Sequence, residues 1–170
     1  MRFLRAFCVV SILFCAPVSV LADIITSSDT HYVLRHQVAS EYSAEELWQR
    51  LIKPSTWWHP DHTYSGDAKN LSLDLTAGGL WKEEWSDGSV EHGRVMLVQA
   101  GKVLRMEAPF GPLQGVGAYV VWTITVTPAK EGAMVIFDET ATGPKGAGLE
   151  NLAQAVDGVK EQAIQRLIGK

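Results

Sequence analysis

The sequence predicts an α+β fold in which a curved antiparallel sheet wraps a long C-terminal helix. Three observations lead there. From Leu71 onward, apolar and polar residues alternate in short runs, as they do in strands buried on one face. Turn residues separate the runs, with Asp87-Gly88 and Lys130-Glu131-Gly132 the strongest, so successive strands run antiparallel. Last comes Leu149 to Ile168, where Leu149, Leu152, Val156, Val159, Ala163 and Leu167 recur at steps of three and four. An antiparallel sheet needs one face covered, and this helix is the element long enough to cover it.

The N-terminus reads as an export signal. Arg2 and Arg5 precede an apolar run from Phe7 to Ala16, and Val20-Leu21-Ala22 has the character of a peptidase site. The expected organisation is a signal peptide over residues 1–22 and a single domain over 23–170. The apolar run is too short, and too soon broken by Pro17, for a lasting anchor of ~20 residues. The expected location is therefore exported, periplasmic or secreted, with no stable membrane insertion after cleavage. Cys8 and Cys15 both lie in the signal, so disulfides, thiol catalysis and cysteine-bound zinc are not expected in the mature domain. Removing Arg2 and Arg5 from 15 basic residues leaves 13 against 19 acidic ones, a net charge near −6. With no basic run, nucleic acid and anionic membrane surfaces are poor partners.

Along the mature chain, His31–Val38 is a strand with Tyr32, Leu34, His36 and Val38 on one face. A helix follows: Ser43 and Glu46 form a capping box, Tyr42 can staple onto Leu47, and Pro54 stops it. Its buried stripe is Leu47, Trp48, Leu51 and Ile52. Strands then read at Leu71–Leu75, Leu80–Trp85, Val90–Val98, Val103–Ala108, Ala118–Thr127 and Ala133–Thr142. Gly158 costs the last helix ~1 kcal/mol against Ala, so its formation rests on packing.

Several motifs set in this order resemble a known superfamily. They are Glu46-Leu47-Trp48, Trp58-His59-Pro60-Asp61-His62-Thr63-Tyr64-Ser65-Gly66-Asp67, Leu71-Ser72-Leu73, Gly78-Gly79, Glu83, and Ser89-Val90-Glu91-His92-Gly93-Arg94-Val95. Gly111-Pro112-Leu113-Gln114 and the stretch from Val156-Asp157 to Arg166-Leu167 complete the set. Together they resemble the START-like, polyketide-cyclase and lipid-transport superfamily (SRPBCC), most closely exported members of its heat-shock-ATPase-activator-homologue branch. The resemblance covers nearly all of the mature chain. It implies the helix-grip fold and a cavity between sheet and helix, in a superfamily of lipid carriers, hormone receptors and cyclases. Leu80-Trp81-Lys82 departs from the smaller residues such relatives carry and implies a differently shaped pocket.

The residues that could carry chemistry cluster in three places. Ser55–Asp67 packs Trp57, Trp58, His59, Asp61, His62 and Tyr64 together. His59, Asp61 and His62 are tempting zinc ligands, but Pro60 stiffens the run and adjacent Asp61 and His62 diverge; no metal is expected. The reading is a pocket lip. On the strand Leu80–Trp85, Trp81, Glu83 and Trp85 share a face. If that face is the inner one, apolar walls raise the Glu83 pKa and make it an acid/base candidate; if outer, it is a surface charge. His92 and Arg94 share a strand row with Val90, Met96 and Val98, where Arg94 either pairs with Glu83 or meets an anionic head group. His36 reads as a satisfied core histidine. Phe110–Gly117, with Phe110 and Gln114, is either a gate over the cavity or a plain wide connection. Met106, on Val103–Ala108, is placed with the ligand-contacting set.

The expected function is binding of a small apolar or amphipathic ligand, with no cofactor. Trp57, Trp58, Trp81 and Phe110 supply apolar contact; His62, Glu83, His92, Arg94 and Gln114 orient a polar end. The alternative is a cyclase- or hydratase-like enzyme moving protons through Glu83 with His92 or His62. Homodimerisation through a sheet edge is compatible with either.

Overall fold

The computed structural model describes Leu21–Lys170; the export signal expected over residues 1–22 lies outside the described residues apart from Leu21 and Ala22. Eight strands form one antiparallel sheet in the order β1-β2-β8-β7-β6-β5-β4-β3. They are β1 (Leu21–Ser28), β2 (His31–Ser40), β3 (Leu71–Leu73), β4 (Leu80–Trp85), β5 (Gly88–Gln99), β6 (Val103–Glu107), β7 (Tyr119–Pro128) and β8 (Ala133–Thr142). Helix α1 (Ala44–Leu51) follows β2, the one-turn α2 (Pro112–Gly115) lies between β6 and β7, and α3 (Leu149–Leu167) closes the chain. The sheet grips α3, as the alternation and the final amphipathic run predict.

Period-two burial runs through the central strands. Tyr32, Leu34, His36 and Val38 of β2, Val120, Trp122, Ile124 and Val126 of β7, and Val135, Phe137, Glu139 and Ala141 of β8 all point inward. Strand β1 was not expected from the alternation. It pairs with β2 along its backbone, but residues 24–28 are all exposed, Ile24 at 37% and Ile25 at 59%, so this part of the edge strand leaves no buried pattern in the sequence.

The capping box of α1 is formed: Glu46 N–H donates to Ser43 Oγ at 3.3 Å, and Ser43 N–H donates to Glu46 Oε2 at 2.9 Å. Arg50 then reaches the end of α3, donating from Nε to Leu167 O (2.8 Å) and from Nη2 to Arg166 O (3.2 Å). It thereby satisfies carbonyls that a helix end leaves free. Arg166 in turn donates to Trp57 O at 2.9 Å. These bonds tie α1, the end of α3 and the tryptophan-rich segment into one corner.

Two bulges bend β5. Its partners in β4 step from Gly93 opposite Trp81 to Glu91 opposite Lys82, which leaves His92 as the extra residue. Met96 is skipped in the same way against β6. Side chains on either side of a bulge no longer alternate in phase, and this decides the site.

Candidate functional site

A cavity of about 340 Å³ lies between the sheet and α3, the size of a small-molecule site. The tryptophan-rich segment contributes Trp58, His62, Thr63 and Tyr64; β5 contributes His92 and β8 Glu139. Phe110 to Leu113 form another part of the wall, and α3 presents Leu152, Val156, Val159 and Lys160.

The segment that shapes this lip is fixed by its own short-range bonds. Pro54 and Pro60 each open a single 3-10 turn. Trp58 Nε1 donates to His62 O at 3.0 Å, folding the lip back on itself. Trp57 Nε1 donates to Leu51 O at 3.1 Å, and its ring is fully buried. Trp57 therefore belongs to the core rather than the cavity, as do Trp81 and Met106, all three without exposed surface. Trp57, Trp58, Trp81 and Trp122 meet one another and Phe110 or Phe137 largely edge-on, at centroid distances of 5.0–6.4 Å. Trp81 fills the floor beneath Trp58 and Phe110.

The histidines of the lip separate. His62 lines the cavity, and its Nε2 lies 2.8 Å from Gln162 Oε1 on α3. His59 turns to a shallow outer groove and accepts the Asp61 N–H at 3.1 Å. Among the described residues no three His, Cys, Asp or Glu side chains converge as a metal centre requires.

Glu83 lies on the inner face with Trp81, but two expectations for it are corrected. It has no exposed surface and sits behind His92 rather than in the cavity wall. Its pKa is not raised. Burial pushes it up, but the Ser65 hydroxyl, the Tyr64 N–H (3.0 Å), the Ser65 N–H (2.5 Å) and His92 Nε2 (2.9 Å) outweigh that and hold the carboxyl below its ordinary value. His92 is 2% exposed, and burial lowers its pKa despite the neighbouring carboxylate. At neutral pH the ring is neutral and Nε2 carries the proton toward Glu83. Nδ1 is then an acceptor, buried and without a partner among the described residues. Phe110 stacks on the same ring at 5.2 Å and 16°.

Arg94 is also corrected. The His92 bulge turns it to the opposite face, where it is half exposed and pairs with Glu91 at 2.8 Å and with Gly78 O. Gln114 likewise donates to Glu91 O, outside the cavity. The expected His92–Arg94 row does not exist.

Sequence reasoning passed over one buried cluster. Lys160 Nζ lies 2.8 Å from Glu139 Oε2, and the Tyr32 hydroxyl donates to Glu139 Oε1 at 2.6 Å. Nζ also lies 3.0 Å from the Trp122 centroid and 4.9 Å from that of Phe110. Burial lowers the Lys160 pKa to about 8, with Glu139 acting against it. A signal was there: Glu139 sits in phase with Val135, Phe137 and Ala141, and Lys160 in phase with Val156, Ala163 and Leu167. Opposite charges inside two apolar rows that must face each other are a pair. Nearby, His36 Nε2 lies 2.9 Å from Asp157 Oδ1 on α3, so His36 is a core histidine with a partner.

No protein-family model matches the chain, and no curated protein does. Solved structures do. Truncated norcoclaurine synthase from Thalictrum flavum is similar at a TM-score of 0.56 and 18% identity, over 85% of this chain and 96% of its own. An uncharacterised protein from Rhizobium leguminosarum matches at 0.59 and 14%, over 81% and 92%. A conserved protein of unknown function from Enterococcus faecalis matches at 0.57 and 11%, over 86% and 75%. At these identities the likeness shows the helix-grip fold and goes no further.

Proposed function

We propose that this protein is an exported binding protein for a small, largely apolar, uncharged molecule held between the sheet and α3. One observation carries the reading: a formed cavity of about 340 Å³ with walls of Trp58, Phe110, Leu113, Val156 and Val159. Its polar groups are few and already neutralised. Glu139 faces Lys160, and His92 is neutral against Glu83. An anionic head group would meet the Glu139 carboxylate and, among the described lining residues, no unpaired cation, which favours a ligand without charge. His92 Nδ1 is the natural partner for one hydroxyl or amide donor on that ligand.

The Glu83–His92 pair also supports a second reading, proton transfer to or from the bound molecule. Here His92 is the base and Glu83 fixes its tautomer, whereas the sequence reading gives the acid/base role to Glu83. Glu83→Gln separates the two: a carrier keeps most of its affinity, whereas an enzyme loses most of its turnover.

Native mass spectrometry of the chain secreted through its own leader tests the proposal. It expects a protein beginning at Asp23 that carries an added small mass lost on denaturation. Cleavage there still leaves the β1–β2 pairing from Asp23 opposite Arg35 to Ser28 opposite His31. A protein that acquires no mass even when saturated with neutral apolar compounds overturns the binding reading. An uncleaved chain overturns the cleavage before Asp23, and a chain that stays inside the cell overturns the export.

A further inference from the structure

Lys160 is the one lysine among the described residues that is buried, and both it and Glu139 reach the wall of the cavity. Three explanations compete. As a structural ion pair it is a poor choice, because two apolar side chains of similar volume stabilise a core as well or better. As a receptor for an anion it is compromised, because Glu139 holds it at 2.8 Å and Tyr32 fixes Glu139 in place. What the arrangement does supply is an amine in an apolar, aromatic enclosure with a carboxylate in contact, at the end of a cavity fit for a neutral molecule. That is what a lysine requires to act as a nucleophile toward a carbonyl.

We propose that Lys160 captures an aldehyde or ketone ligand of this cavity as a covalent imine, with Glu139 carrying protons for the exchange. The inference rests on the binding function proposed above. Nζ adds to the carbonyl carbon, and the carbonyl oxygen becomes a hydroxyl. The carbon–oxygen bond then breaks as the C=N bond forms. The two hydrogens lost from the amine leave with that oxygen as water, and Glu139 relays them. No oxidant or reductant takes part. With a pKa of about 8, about a tenth of the amine is unprotonated at pH 7, against under one part in about a thousand for an ordinary lysine. The groups around it are Glu139 and Tyr32 on the sheet, with His36 and Asp157 close by. The Phe110 ring, 4.9 Å from Nζ, also lines the cavity and stands next to the amine, so a smaller side chain there widens the approach.

The test uses the mature protein with naphthaldehyde and, as the control that cannot form an imine, naphthalenemethanol. Tryptophan quenching measures binding of each. Cyanoborohydride then fixes any imine as a secondary amine, which peptide mapping locates. The expected result is saturable binding of both and one fixed adduct per chain on Lys160, lost at least tenfold in Lys160→Arg and formed faster in Phe110→Ala. Because mapping is done on the unmodified sequence, the site does not depend on a variant folding. Binding of both compounds with no adduct, or with adducts spread over surface lysines such as Lys53, Lys102 and Lys145, overturns the imine and leaves the binding function standing. Binding of neither overturns both.

Discussion

Lys160 and Glu139 are held apart from water by aromatic rings, and each is stable there only because of the other. Lys160→Met should cost ~3–5 kcal/mol in a denaturant titration, because Glu139 is left buried and unpaired. Adding Glu139→Gln should recover most of that loss; a double variant as weak as the single one would contradict the pairing. The pair also leaves a pH signature. The folded chain releases the Lys160 proton at about 8, while an unfolded chain holds it to about 10.5. Between those values the unfolded state binds more protons, so stability from this group rises with pH. Tyr32, whose pKa burial and Glu139 push far up, ends the useful window near pH 10. From pH 8 to 10 the stability of the natural chain should gain ~1–3 kcal/mol on the Lys160→Met, Glu139→Gln variant. A flat difference would mean that Lys160 titrates normally. At this scale the sequence was partly legible: Trp58, His62, Tyr64, His92 and Phe110 were picked out and line the cavity, while Trp57, Trp81 and Met106 were picked out and are core. Residue type told the two groups apart poorly, since a tryptophan suits a core and a pocket equally well.

At the scale of elements, α3 carries both the grip and the cavity wall. Its apolar stripe is split: Leu149, Ala163 and Leu167 are buried in the core, whereas Leu152, Val156 and Val159 face the cavity. Gly158 lies on its exposed side, and a Cβ there meets nothing within 4 Å. Gly158→Ala should therefore raise stability by ~0.5–1 kcal/mol in thermal or chemical denaturation, and a loss would mean that the exposed face is in contact with something. The β5 bulge is the opposite case. A Cβ on Gly93 would lie 2.9 Å from both Ala108 Cβ and Glu107 O, so the bulge needs glycine for β6 to approach. Gly93→Ala should destabilise the fold by ~1–3 kcal/mol and loosen His92 from Glu83, read as a rise or broadening in the His92 ring titration by NMR. Strands β4 and β8 fall where alternation puts them, because each buries alternate side chains. The bulge was not legible, because Val90, His92, Arg94 and Met96 keep an unbroken period of two. It arises from how β5 must pair with β4 and β6 at once, which no single strand encodes.

For the whole molecule, the chain closes a sheet around a helix without filling the space between them. The aromatic cluster makes one end of that space rigid, and the Asp29 carboxylate pins the loop leading into α3 at the other, accepting from Gly146 N–H (2.7 Å) and Gly148 N–H (3.0 Å). A cavity so held persists without its occupant, so binding should show little ordering cost and a negative heat-capacity change from apolar burial. The measurement that bears most directly on this is a calorimetric titration of naphthalenemethanol into the protein and into Val156→Trp. Val156 faces the cavity from α3 and is half-buried, so the larger ring fills the space without disturbing the core. The account predicts one saturable site in the natural chain and at least a tenfold loss of affinity in the variant, with both proteins equally folded by circular dichroism. Equal affinity in the two, or no saturable site in either, would contradict it.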